Sequence, residues 1–395
     1  MIDTSTPISK VTYNNIQIPL ASDAEIALLE GELSGTYAIP NGVTKLGDRA
    51  LYNQKNITKL IIPNSVSSIE STYSCGYLSG LTELVYDASI GVTSLSSEAV
   101  PFYYCGAEGS DFIIGPNTDC IPQYLLAVNN TAAKPKFARI YNQPRDKALT
   151  IGGFQSNTST STTYSNSRLK KIWLDTPSTI DIRKSAFNYF GAITKVYLNA
   201  SRILNATGAC FGSNGTSSSG AVFKFGESVA YIGNNVLYGV IANNVFVDKN
   251  VTQIGSSGLS LNSSGEGYIT INCQVPPTIQ SNTINTLVSK PIFIPKGTLE
   301  AYQSATYWSS LSSRFVELEY TNYSDGINNL TLGNNKWFDL TVDGISYNGT
   351  YVLSEDTISL EVFDLHDDSI FTGTLIGDQV TININGAEYN LMLQN

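Results

Sequence analysis

The segment Ile39-Pro-Asn-Gly-Val-Thr-Lys-Leu46 recurs as Ile62-Pro-Asn-Ser-Val-Ser-Ser-Ile69, 23 residues further along the chain. A strand-like segment, Ile57-Thr-Lys-Leu-Ile-Ile62, runs into the second copy and is echoed by Leu81-Thr-Glu-Leu-Val-Tyr86. Self-similarity at a fixed spacing is the sequence signature of a repeat architecture. The fold is therefore predicted from this period before any other feature is considered.

Looser copies carry the pattern through the middle of the chain. The step from one apolar residue to another three positions later returns at Val92, Val229 and Val251, with looser forms at Thr179 and Ala200. A period in the low twenties is typical of leucine-rich repeats, in which stacked turns bury a continuous apolar column that no single turn can bury alone. We therefore predict a mostly β protein with short helices, in which a leucine-rich-repeat solenoid spans residues 38–320.

The repeat weakens between Pro101 and Arg168. Residues 122–126 and 137–141 are interpreted there as a degenerate turn with a helical insertion. Three polar stretches are predicted as loops that leave one face of the solenoid, namely 155–167, 212–220 and 255–267. Such loops are either insertions without a function, which the solenoid tolerates, or a contact surface.

Both ends of the array are predicted to be covered. Residues 1–37 form an N-terminal cap in this interpretation, with a β-hairpin over 11–18 and a short helix over 23–30 that starts at the capping box Ser22-Asp-Ala-Glu25. At the other end, Thr298 is expected to cap a helix that seals the last turn. The apolar residues of that helix recur every three positions, at Leu299, Tyr302, Ala305, Trp308 and Leu311.

The sequence pattern changes from about residue 321. Alternating strand-like segments are separated there by tight turns, among them Asp343-Gly344 and Asn385-Gly386. Asp-Gly and Asn-Gly between alternating segments are the strongest short-range hairpin signals. Residues 321–395 are therefore predicted to be a small, separate all-β domain.

Low charge narrows the function classes. Charged residues make up 14% of the 395 residues and the net charge is −10. Nucleic acid is not an expected partner, because phosphate binding needs clustered Lys and Arg. No apolar segment approaches the roughly 18 residues that a membrane span needs. Residues 1–10 lack the basic start and apolar stretch of a secretory signal, so none is expected.

No catalytic or metal-binding constellation is predicted. The scattered cysteines are expected to be buried thiols, at Cys75, Cys105, Cys120, Cys210 and Cys273. His366 has no nucleophile motif to act on and is expected in an exposed loop. The aspartates of the last domain match no calcium loop and are expected to be solvated, at Asp339, Asp343, Asp356, Asp364, Asp367 and Asp368. We expect no cofactor and no enzymatic activity, and a carbohydrate-active enzyme with a distant carboxylate pair is the remaining alternative.

Aromatic residues cluster in the early repeats and form the candidate contact surface. They are Tyr73, Tyr77, Tyr86, Phe102, Tyr103 and Tyr104. Tyrosine offers a large contact area with two stiff torsions and a hydroxyl group, which suits contact with a protein or a glycan. The alternative for each of these residues is a place in the core.

Several of these segments resemble the BspA-like class of bacterial leucine-rich repeat. The resemblance rests on the Ile-Pro-Asn-Ser-Val-Ser-Ser-Ile segment, on Lys184-Ser-Ala-Phe187 and on residues 291–308, which are similar to the segment that closes such arrays. It covers about residues 38–315 and implies a repeat solenoid with a role in adhesion or in protein or glycan binding. The N-terminal cap, passing straight into the repeats, resembles the start of bacteriophage tail-type proteins.

The leading hypothesis is a non-enzymatic structural and binding protein of a bacteriophage virion, displayed from a tail, a fibre or a capsid. Its expected partners are other virion proteins or a host surface protein or glycan, and a homo-oligomer is left open. A bacterial cell-surface or secreted adhesin with the same repeats is the alternative.

Overall fold

The solenoid is built on a long parallel sheet. The computed structural model describes residues 32–70, 73–93, 95, 101–126, 135–152, 168–184, 186–187, 192–205, 208–211, 220–262, 268–285 and 289–394, and the backbone alone of 11–12, 24–26 and 29–30. The sheet order follows the chain through Ser34–Ala38, Asn56–Ile62, Glu83–Tyr86, Ser110–Ile114, Phe137–Asn142, Lys171–Asp175, Lys195–Asn199, Ala221–Phe225, Ala242–Val247, Tyr268–Ile271, Ile292–Ile294 and Phe315–Glu317. At about 4.8 Å for each strand, this sheet is roughly 50 Å long.

Alternation along each strand separates the core from the outer face. In Lys171–Asp175, Ile172 and Leu174 are buried in the core that runs through the solenoid, while Trp173 faces outward. Neighbouring strands pair in register, so Ile172 lies beside Val196 of the next coil. Because the period of a strand is two, this register keeps one apolar column continuous from coil to coil. The mostly β solenoid predicted from the sequence is confirmed.

Each coil has two further sides. The second side carries short parallel strands, which are Ala24–Ile26, Val43–Leu46 and Ser68–Ile69 in one sheet and Cys120–Ile121, Leu149–Ile151, Thr179–Ile182, Arg202–Leu204, Tyr231–Ile232 and Gln253–Ile254 in another. The third side is a row of turns joined by backbone hydrogen bonds. Leu51 N donates to Ser74 O at 2.7 Å, and Cys75 N donates to Pro101 O at 2.9 Å in the next pair of coils.

The N-terminal segment differs from the predicted cap. Ala24–Ile26 and Leu29–Glu30 are strands, so the predicted helix over 23–30 is wrong at these positions. Ala24–Ile26 pairs in parallel with Val43–Leu46, because the open edge of a coil offers backbone partners that outweigh a local capping signal. Val11–Thr12 likewise pairs in parallel with Leu29–Glu30. The rest of the predicted hairpin lies outside the described residues.

The region where the sequence repeat weakens is regular in structure. Ser110–Ile114 and Phe137–Asn142 continue the long sheet with parallel pairing. No helix occurs in the described residues 101–126 and 135–152, and residues 127–134, which the predicted helical insertion includes, lie outside the described part of the chain. Backbone pairing between neighbouring coils tolerates a weak side-chain pattern, since it depends on main-chain groups alone.

The predicted surface loops are largely outside the described residues, which include neither 155–167 nor 212–219. Residues 255–262, which begin the third predicted loop, form the third side of a coil instead. Leu259 and Leu261 are buried there, and Leu259 N donates to Thr283 O at 3.1 Å. The surrounding Ser and Gly residues make this segment polar overall, which is why the sequence predicts a surface loop instead of a buried turn.

The end of the solenoid is sealed by two short helices rather than one. Leu299–Ser304 is an α-helix and Trp308–Arg314 is a 3-10 helix, separated by Tyr307 with a left-handed φ of 66°. Thr298 occupies the N-cap position as predicted, but its hydroxyl donates to Pro295 O at 2.6 Å and makes no capping hydrogen bond to the helix. The predicted apolar stripe still covers the last coil through its buried members Tyr302, Trp308 and Leu311.

The predicted small all-β domain is a closed antiparallel barrel. Its strands follow the chain through Tyr320–Ser324, Asn329–Gly333, Trp337–Val342, Ile345–Ser354, Thr357–Val362, Ile370–Ile376, Gln379–Ile384 and Ala387–Leu393, and the last pairs with the first. Phe338, Leu360 and Ile382 belong to its own core. Asp343 and Asn385 both have a φ of 52°, as their hairpin turns require.

The barrel, which has its own core, packs against the outer face of the long sheet. Lys171 Nζ donates to Asp364 O at 2.8 Å and to Leu365 O at 3.0 Å. In the next coil, Lys195 Nζ donates to Val362 O at 2.7 Å. Both ammonium groups are buried, with side chains 1% and 4% exposed. The loop that follows Val362 is therefore fixed to the solenoid by two lysines.

Aromatic rings complete this contact. The Trp173 ring lies 5.3 Å from the Phe363 ring, and the Phe246 ring lies 4.4 Å from the Trp337 ring. Lys224 Nζ lies 4.7 Å from the centre of the Trp337 ring. We call these residues and the two buried lysines the barrel contact. The barrel contact covers the outer face of the middle coils. It does not include the turns on the third side of the first coils.

Candidate functional site

The structure divides the six predicted contact residues into two groups. Tyr73, Tyr77, Tyr103 and Tyr104 lie together on the third side of the early coils, each half-buried. Tyr86 and Phe102 belong to the core, and their prediction as contact residues is wrong. Tyr86 ends Glu83–Tyr86, where alternation directs it inward with Leu84, and it is 0% exposed.

Tyr52 completes the surface and was missed in the sequence. Its ring lies 5.2 Å from the Tyr77 ring and 6.3 Å from the Tyr73 ring. The ring of Tyr103 lies 4.9 Å from Tyr73 and 4.8 Å from Tyr104. We call these five residues the tyrosine surface. Tyr52 lies beside Asn53 in the turn of the preceding coil, so including that turn in the search for aromatic residues would have found it.

The turns place two of these rings at one position of successive coils. Asn53 N donates to Gly76 O at 2.9 Å, and Tyr77 N donates to Tyr103 O at 2.7 Å. Asn53, Tyr77 and Tyr104 follow one another in this position, with φ values of 65°, 63° and 55°. The rings of Tyr77 and Tyr104 consequently stack, with centroids 5.0 Å apart and planes inclined by 27°.

This backbone conformation has a cost for tyrosine. A left-handed φ disfavours a residue with a Cβ by about 1–2 kcal/mol, and Gly or Asn adopts it more readily. Tyr73 has the same sign of φ, at 56°. A positive φ also occurs in other turns of the solenoid, at Arg49, Tyr124, Asn235 and Ser257, so the turn itself imposes this conformation. The first coil has the expected Asn53, whereas the next two coils carry large aromatic side chains.

The tyrosine surface is nearly uncharged. The packing of the rings removes solvent from the hydroxyl groups and raises the pKa of Tyr77 and Tyr103, and the neighbouring tyrosines raise it further. These hydroxyl groups therefore stay protonated at neutral pH and both donate and accept hydrogen bonds. The cation Arg49 borders the surface, with its Cζ 5.6 Å from the centre of the Tyr52 ring.

All five cysteines are free, and all but Cys120 are buried. Burial raises the pKa of Cys105 and Cys273 to about 12, so these thiols are poor nucleophiles. In the part of the chain that is described, no group of three or more His, Cys, Asp or Glu residues is placed to hold a metal ion. No helix among the described residues is long and apolar enough to cross a membrane.

His366 and its acidic neighbours have a structural setting that the sequence did not reveal. His366 is exposed, as predicted, and its ring lies 5.2 Å from the ring of Tyr141. Asp364 Oδ1 accepts from the backbone N–H groups of His366 and Asp367 at 2.8 and 2.9 Å. Asp368 was expected to be only solvated, but its Oδ1 lies 2.7 Å from Lys171 Nζ. This ion pair joins two segments that are far apart in sequence, so no local pattern could predict it.

A cleft of about 800 Å³ lies where the coil corners meet the first barrel strand. Its wall carries charges of both signs, from Asp248, Lys249, Lys296 and Glu319. Small-molecule sites are mostly apolar with a few placed polar groups, which this open and charged wall does not match. The tyrosine surface is the better candidate for recognition.

Comparison with known proteins identifies the repeats. No curated protein matches the chain. A family model described as the BspA type leucine rich repeat region matches in six copies, over residues 33–130 and 154–266. These residues make up more than half of the chain, and they include part of the region where the repeat is weak in sequence. The chain belongs to the BspA-type leucine-rich repeat family.

Proposed function

We propose that this chain is a non-enzymatic recognition protein that holds the tyrosine surface against a macromolecular partner. Leucine-rich repeats of this family favour a binding role, because a stack of coils offers a broad surface rather than an enclosed pocket. One observation carries the proposal. Five tyrosines from three coils form a continuous surface, and Tyr73, Tyr77 and Tyr104 maintain it in a strained backbone conformation.

The chain itself supplies the variant that tests this proposal. Asparagine occupies the equivalent position in the first coil, so the double variant Tyr77→Asn, Tyr104→Asn removes two rings and relieves the left-handed backbone. Its thermal stability is expected to stay within a few degrees of the wild type, since lost ring packing and relieved strain oppose each other. Tyr238→Asn is the matched control, because Tyr238 is 51% exposed on the third side of a later coil.

The measurement is the binding of fluorescently labelled protein to a panel of intact bacterial cells. Aromatic residues at the centre of an interface contribute about 2 kcal/mol or more each, so the double variant is expected to lose about 4 kcal/mol of binding free energy, on the order of a thousandfold in affinity. Tyr238→Asn is expected to bind like the wild type. Equal binding by the double variant and the wild type would refute the proposal.

The finer setting that we propose is a bacteriophage virion, with the solenoid displayed for contact with other virion proteins or a host surface. Support comes from the resemblance of the N-terminal residues to tail-type proteins and from a surface rich in Ser, Thr, Asn and Tyr. A bacterial cell-surface adhesin is compatible with the same family. Mass spectrometry of purified particles and of bacterial envelopes separates the two: peptides of this chain in envelopes and not in particles would exclude the virion setting.

A further inference from the structure

We propose that the partner of the tyrosine surface is a glycan of uncharged sugars. This inference rests on the proposed function, because it names the chemical class that the same surface recognises. Sugar rings present C–H groups on their faces and hydroxyl groups around their edges. A surface for such a ligand needs aromatic faces or edges for the C–H groups and neutral hydroxyl groups that donate and accept hydrogen bonds.

The rings are arranged before any ligand binds. Each ring of the tyrosine surface contacts at least two others, with centroid distances between 4.8 and 6.3 Å. Restrained rings lose little conformational freedom on binding, which reduces the cost of association. The distances between rings are also comparable with the spacing of successive sugars in an extended polysaccharide. The three coils could therefore place more than one aromatic side chain along a single glycan chain.

The polarity of the surroundings favours a sugar over a protein. In the described residues 32–126, Tyr52 is the large hydrophobic side chain that is more than a third exposed, and no Ile, Leu, Val or Met is exposed to that extent. The buried core of a protein interface is more apolar than the rest of the protein surface. The exposed neighbours in the same turns are instead polar or charged, among them Asp48, Arg49, Asn53, Lys55 and Ser79. This composition matches a ligand covered with hydroxyl groups.

The charges beside the tyrosine surface are few and mixed in sign, which disfavours strongly anionic ligands. The exposed charged residues of the first turn are Asp48, Arg49 and Lys55. Binding of phosphate or sulfate groups needs several cations, and its affinity falls steeply with salt. A neutral glycan requires neither. We therefore expect binding that changes less than twofold between 50 and 500 mM NaCl.

The experiment treats the intact cells of the binding panel in two ways before the labelled full-length chain is added. Periodate oxidises vicinal diols of sugars, and proteinase K removes exposed protein. The proposal expects periodate to abolish binding and proteinase K to leave it unchanged. A printed array of neutral polysaccharides, probed with the same protein, is expected to show binding that the double variant Tyr77→Asn, Tyr104→Asn loses.

The failure of this inference differs from the failure of the proposed function. Binding that proteinase K abolishes and periodate preserves would overturn the glycan proposal, while loss of that binding in the double variant would leave the recognition role intact. Binding that the double variant retains would overturn both. The variant Tyr77→Phe, Tyr104→Phe keeps the rings and removes two hydroxyl groups, and a glycan partner predicts an intermediate affinity for it.

Discussion

Replacing Lys171 with methionine is expected to loosen the barrel from the solenoid. The Lys171 ammonium donates to the backbone carbonyls of Asp364, Leu365 and Asp367, at 2.8, 3.0 and 3.3 Å. Burial lowers the pKa of Lys171, and its hydrogen bond to Asp368 opposes that shift. Methionine keeps the length of the buried stem and removes the donors.

The size of the effect follows from the exposure of each partner. A carbonyl left without a donor in a buried site costs about 1–3 kcal/mol. Part of that cost is recovered, because the loop lies at the surface and the charge no longer has to be desolvated. Asp368 is 67% exposed, so its ion pair adds less than about 1 kcal/mol. We expect the barrel contact to weaken by about 2–4 kcal/mol in total.

Hydrogen exchange of the loop measures this change directly. Opening of the barrel contact exposes the amides of residues 362–369, and a loss of about 2 kcal/mol corresponds to roughly thirtyfold faster exchange. Lys170→Met is the matched control, because the neighbouring Lys170 is exposed and its exchange rates are expected to stay at the wild-type level. Unchanged protection in Lys171→Met, within twofold, would refute the argument that the ammonium holds the loop.

Three further changes test the barrel and the sealed end. Burial raises the pKa of Asp368, but the interaction with Lys171 outweighs burial, so the pKa of the folded protein lies below its ordinary value. The ion pair therefore stabilises the fold above the unfolded pKa of about 4, and this stability, less than about 1 kcal/mol, is lost as pH falls through the folded pKa. Asp368→Asn should remove this loss from the acid side of a plot of stability against pH. In Gly349→Ala the new Cβ would overlap the backbone oxygen of Glu361, so calorimetry should show a barrel destabilised by about 2 kcal/mol or more; an unchanged melting temperature would contradict the close approach. Trp308, 1% exposed, seals the solenoid, and Trp308→Ala should lower the free energy of unfolding by about 3–5 kcal/mol in urea titrations, with a smaller loss for Trp308→Phe.

The solenoid could be predicted because its signal is local and repeated. Val43 and Val66, 23 residues apart, occupy the same place in successive coils, and both are fully buried. A fixed spacing of this kind averages over many coils, so one weak copy does not remove it. The turns at Asp343 and Asn385 are local signals of the same quality, and both have the positive φ that their sequence indicates.

The predicted N-terminal helix shows a local sequence signal that tertiary structure overrides. The capping box at residues 22–25 is a correct description of local preference, but Ala24–Ile26 pairs with Val43–Leu46 as a strand. A local preference amounts to about 1 kcal/mol for a cap. Backbone pairing with a coil that is already formed offers several hydrogen bonds and buries one edge. A local sequence pattern cannot reveal this open edge, because the edge forms only after the coils have stacked.

The tyrosine surface was half predictable for a related reason. Clustering in sequence found Tyr73, Tyr77, Tyr103 and Tyr104, but clustering does not distinguish a turn from a strand. Tyr86 lies in a strand whose inward positions follow from the repeat, so applying the alternation of that strand would have placed it in the core. Position within the coil, rather than density of aromatic residues, decides which ring reaches the surface.

The barrel contact left a signal in the sequence that alternation makes visible. Trp173, Tyr197, Lys224 and Phe246 follow one another in register along the outward column of the long sheet. An outward column in water would be expected to carry Thr, Ser or charged residues, as one face of a half-solvated sheet does. Large aromatic rings at these positions therefore indicate a covered face. The register of the repeat predicts where the cover must lie, whereas the identity of the covering segment depends on residues 335–368, more than 80 positions away from Phe246.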